Sequence, residues 1–418
     1  MKSYSAKSSG DDSYIVAGGG LAGLTAANAL ADALGNQSHK VTVLEQSERL
    51  GGRAITQNQA GYLMNLGPHA LYSGGVARRT FEAWGIPLSG SRPDLRGNAY
   101  LVYRGEKHPF FAGVPGLLRH PLFSFREKLE LMRILRLATT PQHPAQSSME
   151  AWILRHARSE LVAAFMRAMT RLTTYATDLK HLGAAQTLAQ IRSALTSGVL
   201  YLDGGWQTLV NGLADRARSR GIEIRTGVPI ETLGESKASG VILAVPPESV
   251  ERISGCALPK LRPSRMACLQ IGLRRLPQGS ATFALGIDRP IYLSVHSAYA
   301  KLAPAGSAVV HAGKYLSGSR TSEPGDDHAD RAELEAVADL AMPGWRADAD
   351  IIQFLPNMIV THGMAACEGR PEVDALKLPD VAIAGDWVGN DGMLADASVS
   401  SAVRAAHAIQ NRAASAAA

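Results

Sequence analysis

The stretch Tyr14-Ile15-Val16-Ala17-Gly18-Gly19-Gly20-Leu21-Ala22-Gly23 decides the fold of this 418-residue chain. Its first four residues form a short apolar run that is typical of a buried parallel strand, and the run ends at three consecutive glycines. From Leu21 to Leu34 the sequence is rich in alanine and leucine and lacks proline, which predicts a helix. A strand, a tight glycine turn and a helix in this order predict the first unit of a dinucleotide-binding α/β domain.

The glycines have the spacing G-x-G-x-x-G, and each position has a physical role. Gly18 permits the turn, Gly20 lets the backbone approach a pyrophosphate, and Gly23 lets the helix pack closely on the strand. The helix begins at Leu21 and Ala22, where unpaired N–H groups and the positive end of the helix dipole would face the phosphates. The spacing alone is weak evidence, because glycine-rich turns are common.

A second predicted strand, Lys40 to Leu44, ends at Glu45 and Gln46. Glu45 follows the glycines at about the distance of the acid that accepts hydrogen bonds from a ribose 2′-OH. A carboxylate at this place also disfavours a 2′-phosphate. The plainer alternative is a turn followed by an exposed glutamate.

Two further glycines and an arginine follow, in Arg49-Leu50-Gly51-Gly52-Arg53. Gly52 permits a second close approach of the backbone, and Arg53 can donate charge-assisted hydrogen bonds to a phosphate or to a flavin edge. With these residues, the stretch from Ile15 to Arg53 resembles the opening of the FAD-dependent amine oxidase, protoporphyrinogen oxidase and phytoene desaturase group. The resemblance implies non-covalently bound FAD and a flavin-dependent redox reaction.

The C-terminal part carries the resemblance further, in a strand that ends at Gly385-Asp386 and a loop that leads through Gly392 into an alanine-rich helix. The resemblance implies that Asp386 bonds the ribityl or pyrophosphate part of FAD and that Gly385, Met393 and Leu394 lie along the flavin. Asp396 could either lie beside the flavin or cap the last helix. Ser400-Ser401 stands where the group often has Ser-Gly.

Three internal segments are also similar to the group. Met64-Asn65-Leu66-Gly67-Pro68-His69 resembles the segment along the flavin, which implies contacts from Gly67, Pro68 and His69. Asp203-Gly204-Gly205-Trp206 resembles the segment that returns the chain to the cofactor domain, and Val228 corresponds to a valine beside the adenine. Tyr72 and Trp206 are candidates for the substrate pocket, although a core role for Trp206 is equally open.

The resemblance implies an α/β fold with a Rossmann-like FAD-binding domain of the GR2 type and an inserted α+β substrate domain. The FAD-binding domain is expected to comprise residues 13–75, 200–250 and 375–418. The substrate domain is expected to comprise residues 76–199, mainly helical, and 251–374, strand-rich and carrying a mixed sheet. Residues 1–12 are polar and are expected to form a flexible tail.

Candidates for catalysis are few. His69 could act as a base or a hydrogen-bond donor, or could merely bond backbone groups. Lys314 ends a predicted strand and could occupy the place of the lysine that amine oxidases of this group join to the flavin through water. An exposed lysine is the plainer alternative. No metal-ligand cluster is recognisable, so no metal is expected.

Composition limits the partners. The formal net charge is +6, hydrophobic residues make up 46%, and the three cysteines are widely spaced. These features predict a globular cytoplasmic protein without a disulfide framework, and no nucleic-acid motif is present. Residues 116–138 mix apolar and basic side chains, so they predict either peripheral contact with an anionic membrane or a helix with a solvated basic face.

The function that these signals favour is removal of a hydride from a hydrophobic small molecule by a desaturase or oxidase, phytoene desaturase-like or protoporphyrinogen oxidase-like. Oxygen or a quinone would accept the electrons. One alternative is an amine or amino-acid oxidase that produces hydrogen peroxide. Another is a non-redox isoprenoid-binding protein on the same scaffold.

Overall fold

The structure is a computed structural model, and it describes residues 13–141, 147–233, 238–317 and 324–417. The expected tail, residues 1–12, lies outside the described residues. In chain order, the strands are β1 Tyr14–Ala17, β2 Val41–Leu44, β3 Thr56–Gln59, β4 Tyr62–Asn65, β5 Leu71–Tyr72, β6 Gly90–Ser91, β7 Ala99–Tyr103, β8 Glu106–Pro109, β9 Val199–Leu202, β10 Glu223–Arg225, β11 Gly240–Leu243, β12 Ser264–Leu273, β13 Phe283–Gly286, β14 Ile291–Val295, β15 Ala308–Leu316, β16 Ala349–Thr361 and β17 Val381–Ile383. The helices are α1 Leu21–Leu34, α2 Val76–Ala83, α3 Gly113–Arg119, α4 Phe125–Thr139, α5 Met149–His156, α6 Glu160–Thr174, α7 Ala184–Ser197, α8 Gln207–Ser219, α9 Pro247–Ser254, α10 Pro324–Ala341 and α11 Ala395–Ala417.

The first of the two large sheets is a five-stranded parallel sheet in the order β10-β2-β1-β11-β17. Its strands are short, and all except edge strand β10 are almost wholly buried, as expected of a parallel sheet that is covered on both faces. They come from residues 14–44, 223–243 and 381–383, which fall within the three segments expected for the cofactor domain. The exact boundaries of that domain stay predictions.

Small side chains allow the helices to lie close to this sheet and to each other. Helix α1 packs against α11 and α8, and it buries every residue from Gly23 to Ala31. Helix α11 contributes Ala402, Ala405 and Ala406 to the same core. Because alanine costs little side-chain entropy and leaves room for close approach, these alanine-rich helices can be buried on a wide face.

The second large sheet has seven strands in the order β16-β12-β15-β14-β13-β7-β8. Most neighbours are antiparallel, but β13 and β7 run parallel, so the sheet is mixed, as predicted. Alternate residues of β15 face opposite sides. Ala308, Val310 and Ala312 pack in the cluster that includes residues of α10, whereas Tyr315 packs in the cluster that includes residues of α4 and α6.

A buried polar network joins α8 to the β3–β4 hairpin. The Asn65 carboxamide oxygen accepts from Thr56 Oγ1 at 2.7 Å and from the Trp206 backbone N–H at 2.9 Å. Thr56 Oγ1 in turn accepts from the Gln207 backbone N–H at 3.0 Å. These bonds satisfy N–H groups at the start of α8 and so fix Trp206 against the hairpin.

Among the residues that the structure describes, no helix is both long and apolar enough to cross a bilayer.

Candidate active site

A large cavity, about 960 Å³, lies between the parallel sheet and the seven-stranded sheet. Residues at the carboxyl ends of β1, β2, β11 and β17 line one side: Ala17, Gly18, Leu44, Glu45, Ala244, Ala384 and Gly385. In open parallel sheets, ligands bind at this edge. Residues of α6, α7 and the seven-stranded sheet line the other side, so one cavity spans both layers.

The glycine turn has the geometry that its spacing predicts. Gly18 has a φ of +104°, and a Cβ there would lie 2.4 Å from the Ala244 carbonyl oxygen. A Cβ on Gly23 would lie 1.8 Å from the Gly18 carbonyl oxygen, so a side chain is excluded where α1 meets β1. Gly23 does not line the cavity, and its role is to allow this close packing.

Gly20 and Gly52 form an open cradle at the start of α1. Both line the cavity, and a Cβ on either would meet no atom closer than 3.7 Å. Leu21 and Ala22, the first residues of α1, line the cavity beside them. Since the space in front of these residues is unfilled and the helix N-terminus faces it, the cradle suits a pyrophosphate.

Glu45 is buried at the end of β2 and lines the cavity with Gln46. Its Oε2 accepts from the Gly19 N–H at 2.6 Å, and its Oε1 accepts from the Ser47 N–H at 2.8 Å. Each carboxylate oxygen has a second lone pair, so Glu45 can still accept from a ribose hydroxyl. Val228 lines the same region, and its N–H donates to the Glu45 carbonyl oxygen at 2.9 Å.

Arg53 and Asp386 form an ion pair in the cavity wall. Arg53 Nη1 donates to Asp386 Oδ2 at 2.8 Å and to the Val360 carbonyl oxygen at 2.5 Å. Burial alone would raise the pKa of Asp386, but Arg53 and His362 outweigh it and hold the pKa below its usual range. Asp386 Oδ1 is buried without a hydrogen-bond partner, so an ionised acceptor in the cavity lining can receive a ligand donor.

Arg370, which the sequence did not single out, holds the loop around Asp386. Its side chain is buried and donates to the carbonyl oxygens of Gly389, Asp386 and Gly392, at 2.6, 2.8 and 2.7 Å. Burial lowers its pKa from 12.5 to about 10. These three hydrogen bonds fix the backbone of residues 386–392, which form neither a helix nor a strand.

His69 lines the cavity, as do Pro68 and Trp206. Its Nδ1 donates to the Gly67 carbonyl oxygen at 3.0 Å, and its ring lies 4.8 Å from the Trp206 ring. Burial lowers the pKa of His69 from 6.5 to about 4, so the ring is neutral near pH 7. The bond to Gly67 agrees with the plainer of the two sequence interpretations and leaves a contact with a ligand open.

Two residues expected along the flavin do not line the cavity. Gly67 has a φ of +81° and lies against Met358, and Met393 is buried in the core. Leu394, the residue after Met393, does line the cavity, with a φ of +55°. Pro68 and Leu394, the residues that follow Gly67 and Met393, therefore line the cavity in their place.

Asp396 lines the cavity, but it caps a different helix from the one expected. Its Oδ1 accepts from the Ala77 N–H at 2.8 Å, at the N-terminus of α2, although Asp396 itself lies in the first turn of α11. Burial raises the pKa of Asp396 above its usual value. The carboxylate thus joins the start of α2 to the start of α11.

The expectation that Lys314 lies beside the flavin is corrected. Lys314 does not line the cavity, and its Nζ pairs with Asp330 at 2.9 Å and with Glu333 at 2.5 Å, both on α10. Burial would lower its pKa, but the two carboxylates raise it. The reason is the alternation of the strand: Lys314 shares the face of Ala312, toward α10, and the opposite face of β15 points to the interior.

Tyr72 lines the cavity, and its hydroxyl donates to the Thr173 carbonyl oxygen at 2.9 Å. Most of the remaining aromatic and aliphatic lining was not predicted, because it comes from scattered positions in the two insertions and, for Tyr201, from β9. These residues are Leu95, Phe110, Met169, Leu172, Tyr175, Tyr201, Phe283, Tyr292, Leu355, Met358 and Val360. No short spacing in the sequence could have identified them.

His296, also missed, is a buried histidine in the cavity lining. Its ring stacks on Tyr201, with 4.1 Å between centroids, and lies 4.5 Å from the ring of His311. Burial lowers the pKa of His296, and burial lowers that of His311 to about 3. His296 Nδ1 has no hydrogen-bond partner, so this neutral ring can bond a ligand in the cavity.

Gln270 fixes the ring of His311 behind His296. Its Nε2 lies 2.5 Å from the Asn65 carbonyl oxygen and 3.1 Å from His311 Nδ1, to both of which it donates. His311 Nδ1 is therefore the acceptor nitrogen, and the proton of the neutral ring is on Nε2.

The open backbone cradle and the carboxylate acceptors of the cavity fit a dinucleotide that carries a flavin. The cradle at Gly20 and Gly52 is empty of side chains, Glu45 can accept from a ribose, and Asp386 Oδ1 lacks a partner. No described lining residue is a cysteine, and none is a metal-ligand cluster.

Comparison with known proteins agrees with this geometry. The family described as flavin-containing amine oxidoreductase matches residues 21–254. A coproporphyrinogen III oxidase of Mycobacterium bovis is 28% identical over 280 residues, which cover 58% of this chain and 60% of that protein. An L-amino-acid oxidase of Naja atra is 46% identical over 112 residues, which cover 26% of this chain and 21% of that protein.

Among solved structures, an oxidoreductase from Methanosarcina mazei has a TM-score of 0.74 at 17% identity, and the match covers 94% of this chain and 99% of that one. At this identity the likeness concerns the fold. The match to the M. bovis and N. atra relatives spans less than two thirds of their length.

Proposed function

Because the chain belongs to the flavin-containing amine oxidoreductase family, we propose that it is an FAD-dependent oxidoreductase that removes hydride from a neutral, hydrophobic small molecule. FAD would bind non-covalently, with its pyrophosphate at Gly20 and Gly52, a ribose at Glu45 and its ribityl region at Asp386. When bound, FAD supplies the hydride acceptor, and oxygen or a quinone would reoxidise it.

One observation carries the choice of substrate: each carboxylate in the described cavity lining is used either by the protein or by the proposed FAD contacts, because Glu45 and Asp386 would bond FAD and Asp396 accepts from the Ala77 N–H. Glu45 and Asp386 also accept from backbone N–H groups or from Arg53. A substrate ammonium desolvated in this cavity would need a carboxylate or an equivalent partner. The aromatic and aliphatic side chains of the insertions instead favour a neutral ring system or polyene.

The residues of this chain would bind and orient such a substrate and exclude water. Tyr175 and Tyr292 line the cavity, and the Tyr175 hydroxyl lies 3.4 Å from the Pro68 carbonyl oxygen. His296 and His69 are neutral, so they can bond a substrate polar group without placing a charge in the cavity. Oxidation of a neutral substrate removes a hydride and a proton: the hydride would go to bound FAD, and neutral His69 or His296 would accept the proton.

The N. atra relative is named for amino-acid oxidation, and the M. bovis relative for oxidation of coproporphyrinogen III. Because no carboxylate of the described lining is left over for a substrate ammonium, the lining favours the second type of chemistry, removal of hydrogen from an uncharged ring or chain. It disfavours the alternative of an oxidase for charged amines.

The experiment is anaerobic mixing of the purified holoprotein with candidate substrates while the flavin absorbance near ~450 nm is followed. The substrates are a porphyrinogen, a linear polyene, a cyclic amine and an L-amino acid. Bleaching by the porphyrinogen or the polyene supports the proposal. Bleaching by the amine or amino acid alone, with peroxide formed in air, overturns it in favour of the amine oxidase alternative.

The spectrum before mixing tests the cofactor. A yellow protein that releases FAD on denaturation supports non-covalent binding, because no attachment through the protein is then present. A colourless protein that takes up no added FAD would move the non-redox binding protein to first place.

A further inference from the structure

Helices α3 and α4 expose large apolar side chains at the surface. Val114, Leu118, Phe125 and Leu129 are 52%, 44%, 69% and 48% exposed. We call these four residues the α3–α4 face. Single exposed apolar residues are ordinary, but here two of them lie four residues apart on each of two neighbouring helices, which favours an interaction surface.

Helix α4 is apolar on two sides. Leu131, Ile134 and Ala138 are buried against the core. On the other side, Phe125 and Leu129 are four residues apart and exposed, and exposed Arg136 follows at helical spacing, whereas Met132 packs partly against the core. The outer side of α4 thus mixes large apolar side chains with an arginine, a combination that favours an interaction surface over a purely solvated face.

The α3–α4 face is held in a fixed arrangement. Ser124 and Glu127 form a capping box at the start of α4. Lys128 Nζ donates to the Leu118 carbonyl oxygen at 2.9 Å, which ties α4 to the end of α3. His120 lies between the two helices and is buried, and its Nε2 is 2.6 Å from the Pro109 carbonyl oxygen. These bonds present the apolar side chains together.

The acids of this region are used in hydrogen bonds to the body of the protein, so the outward charge is positive. Glu127 Oε1 accepts from Ser159 Oγ at 2.6 Å. Glu130 Oε1 accepts from the backbone N–H groups of Arg158 and Ser159. Arg119, Arg126 and Arg136 are exposed beside the apolar side chains.

We propose that the α3–α4 face docks on an anionic lipid bilayer. Phe125 and Leu129 enter the boundary between headgroups and acyl chains, and Arg119 and Arg126 contact lipid phosphates. A second copy of this chain is a poorer partner, because a two-fold interface would place the arginines of one face against those of the other.

The position of the α3–α4 face links it to the cavity. Phe110 lines the cavity, and its neighbour Phe111 packs on Phe123, immediately before α4, with 6.1 Å between ring centroids. The rings of Phe110, Phe111 and Phe123 thus connect the aromatic wall of the cavity with the start of α4.

The test is co-sedimentation of the holoprotein with vesicles, either pure phosphatidylcholine or phosphatidylcholine with phosphatidylglycerol. We expect binding to the anionic vesicles, weakened by salt. The double variant Phe125→Asp/Leu129→Asp should lower the partition coefficient by about tenfold or more, since two apolar insertions are lost and two like charges are added. Arg126→Glu should lower it about fivefold or more.

The matched control is Ile352→Asp, because Ile352 is 42% exposed and lies on edge strand β16, away from α3 and α4. It should bind as the wild type does. Circular dichroism and the flavin spectrum report whether each variant is folded, and Arg126→Glu, on an exposed side chain, keeps the test valid if the double variant unfolds.

Equal binding of wild type, Arg126→Glu and the double variant would overturn the proposal, as would no binding of the wild type to anionic vesicles. Sedimentation of the protein without lipid measures whether it associates with itself. A dimer that the double variant dissociates, with no lipid binding, would assign the α3–α4 face to self-association and reject the bilayer.

Discussion

Arg53 Nη1 lies 2.8 Å from Asp386 Oδ2, and this ion pair joins two segments that are 333 residues apart in the chain. Arg53 closes the glycine-rich region after β2, and Asp386 follows β17, an edge strand of the same parallel sheet. The Asp386 side chain is 3% exposed, whereas that of Arg53 is 41% exposed and faces the cavity. The pair therefore fixes one wall of the cavity and leaves part of the guanidinium accessible.

Asp386→Asn should lower the free energy of unfolding by about 1–3 kcal/mol and weaken FAD retention, because Arg53 loses a charged partner. Since the pKa of Asp386 is held below its usual range, its stabilising effect is present above about pH 4, the ordinary value, and is lost as the pH falls further. Thermal unfolding of both proteins from pH 7 to pH 3 measures the difference. Glu372→Gln is the control, because its pair with Arg404 is exposed and should contribute little. A difference that grows at lower pH would contradict the argument.

Gly20→Ala and Gly23→Ala should fail in different ways. The Gly20 Cβ meets no atom closer than 3.8 Å and its φ is −82°, so the variant should fold as the wild type does and lose FAD affinity at the cradle. The Gly23 Cβ would lie 1.8 Å from the Gly18 carbonyl oxygen, so that variant should lose about 1–3 kcal/mol of stability or more. Thermal unfolding of the apoproteins and FAD titration separate the two effects. Wild-type FAD affinity in folded Gly20→Ala would contradict a pyrophosphate at this position.

Lys314→Met and His296→Phe test which residue faces the substrate. Lys314→Met should retain FAD and its rate of flavin reduction within about twofold, and lose about 1–3 kcal/mol of stability, because Asp330 and Glu333 lose their ion pairs with Lys314. His296→Phe should keep the ring stacking on Tyr201 and reduce the rate about tenfold, since a hydrogen bond to the ligand is lost. Stopped-flow reduction with the substrate found by screening gives both rates. A large loss of rate in Lys314→Met with FAD retained would restore the lysine to the reaction.

His69 should make the protein less stable as the pH falls. Its pKa is about 4 in the folded protein and 6.5 without the burial, so the unfolded chain binds more protons between these values. Stability attributable to this residue is therefore retained above pH 6.5 and falls progressively toward pH 4, by about 3 kcal/mol at most. His69→Gln should show a smaller loss of stability over this interval, in chemical denaturation of apoprotein at fixed ionic strength. Parallel losses in both proteins would show that His69 does not titrate with unfolding.

The local signals of the N-terminus were strong because each depends on residues close in sequence. The glycine spacing predicts a strand, a turn and a helix, and the structure has β1, the turn at Gly18 and α1 there. A mixed sheet is also present, but its only parallel pair among the described strands joins β13 of the second insertion to β7 of the first, which was expected to be mainly helical. In contrast, the exact boundaries of the cofactor domain and the contacts of its residues with FAD stay predictions.

The sequence by itself determined the dinucleotide-binding turn, its acid Glu45 and the G-G-R motif, because backbone conformation and short spacing set them. Only the tertiary structure decided that Lys314 faces α10, that Asp396 caps α2 and that His296 lines the cavity. A strand residue points to one of two faces according to its register, and a cap or a cavity wall needs partners from distant segments. Those pairings are long-range contacts, which no local pattern of residues encodes.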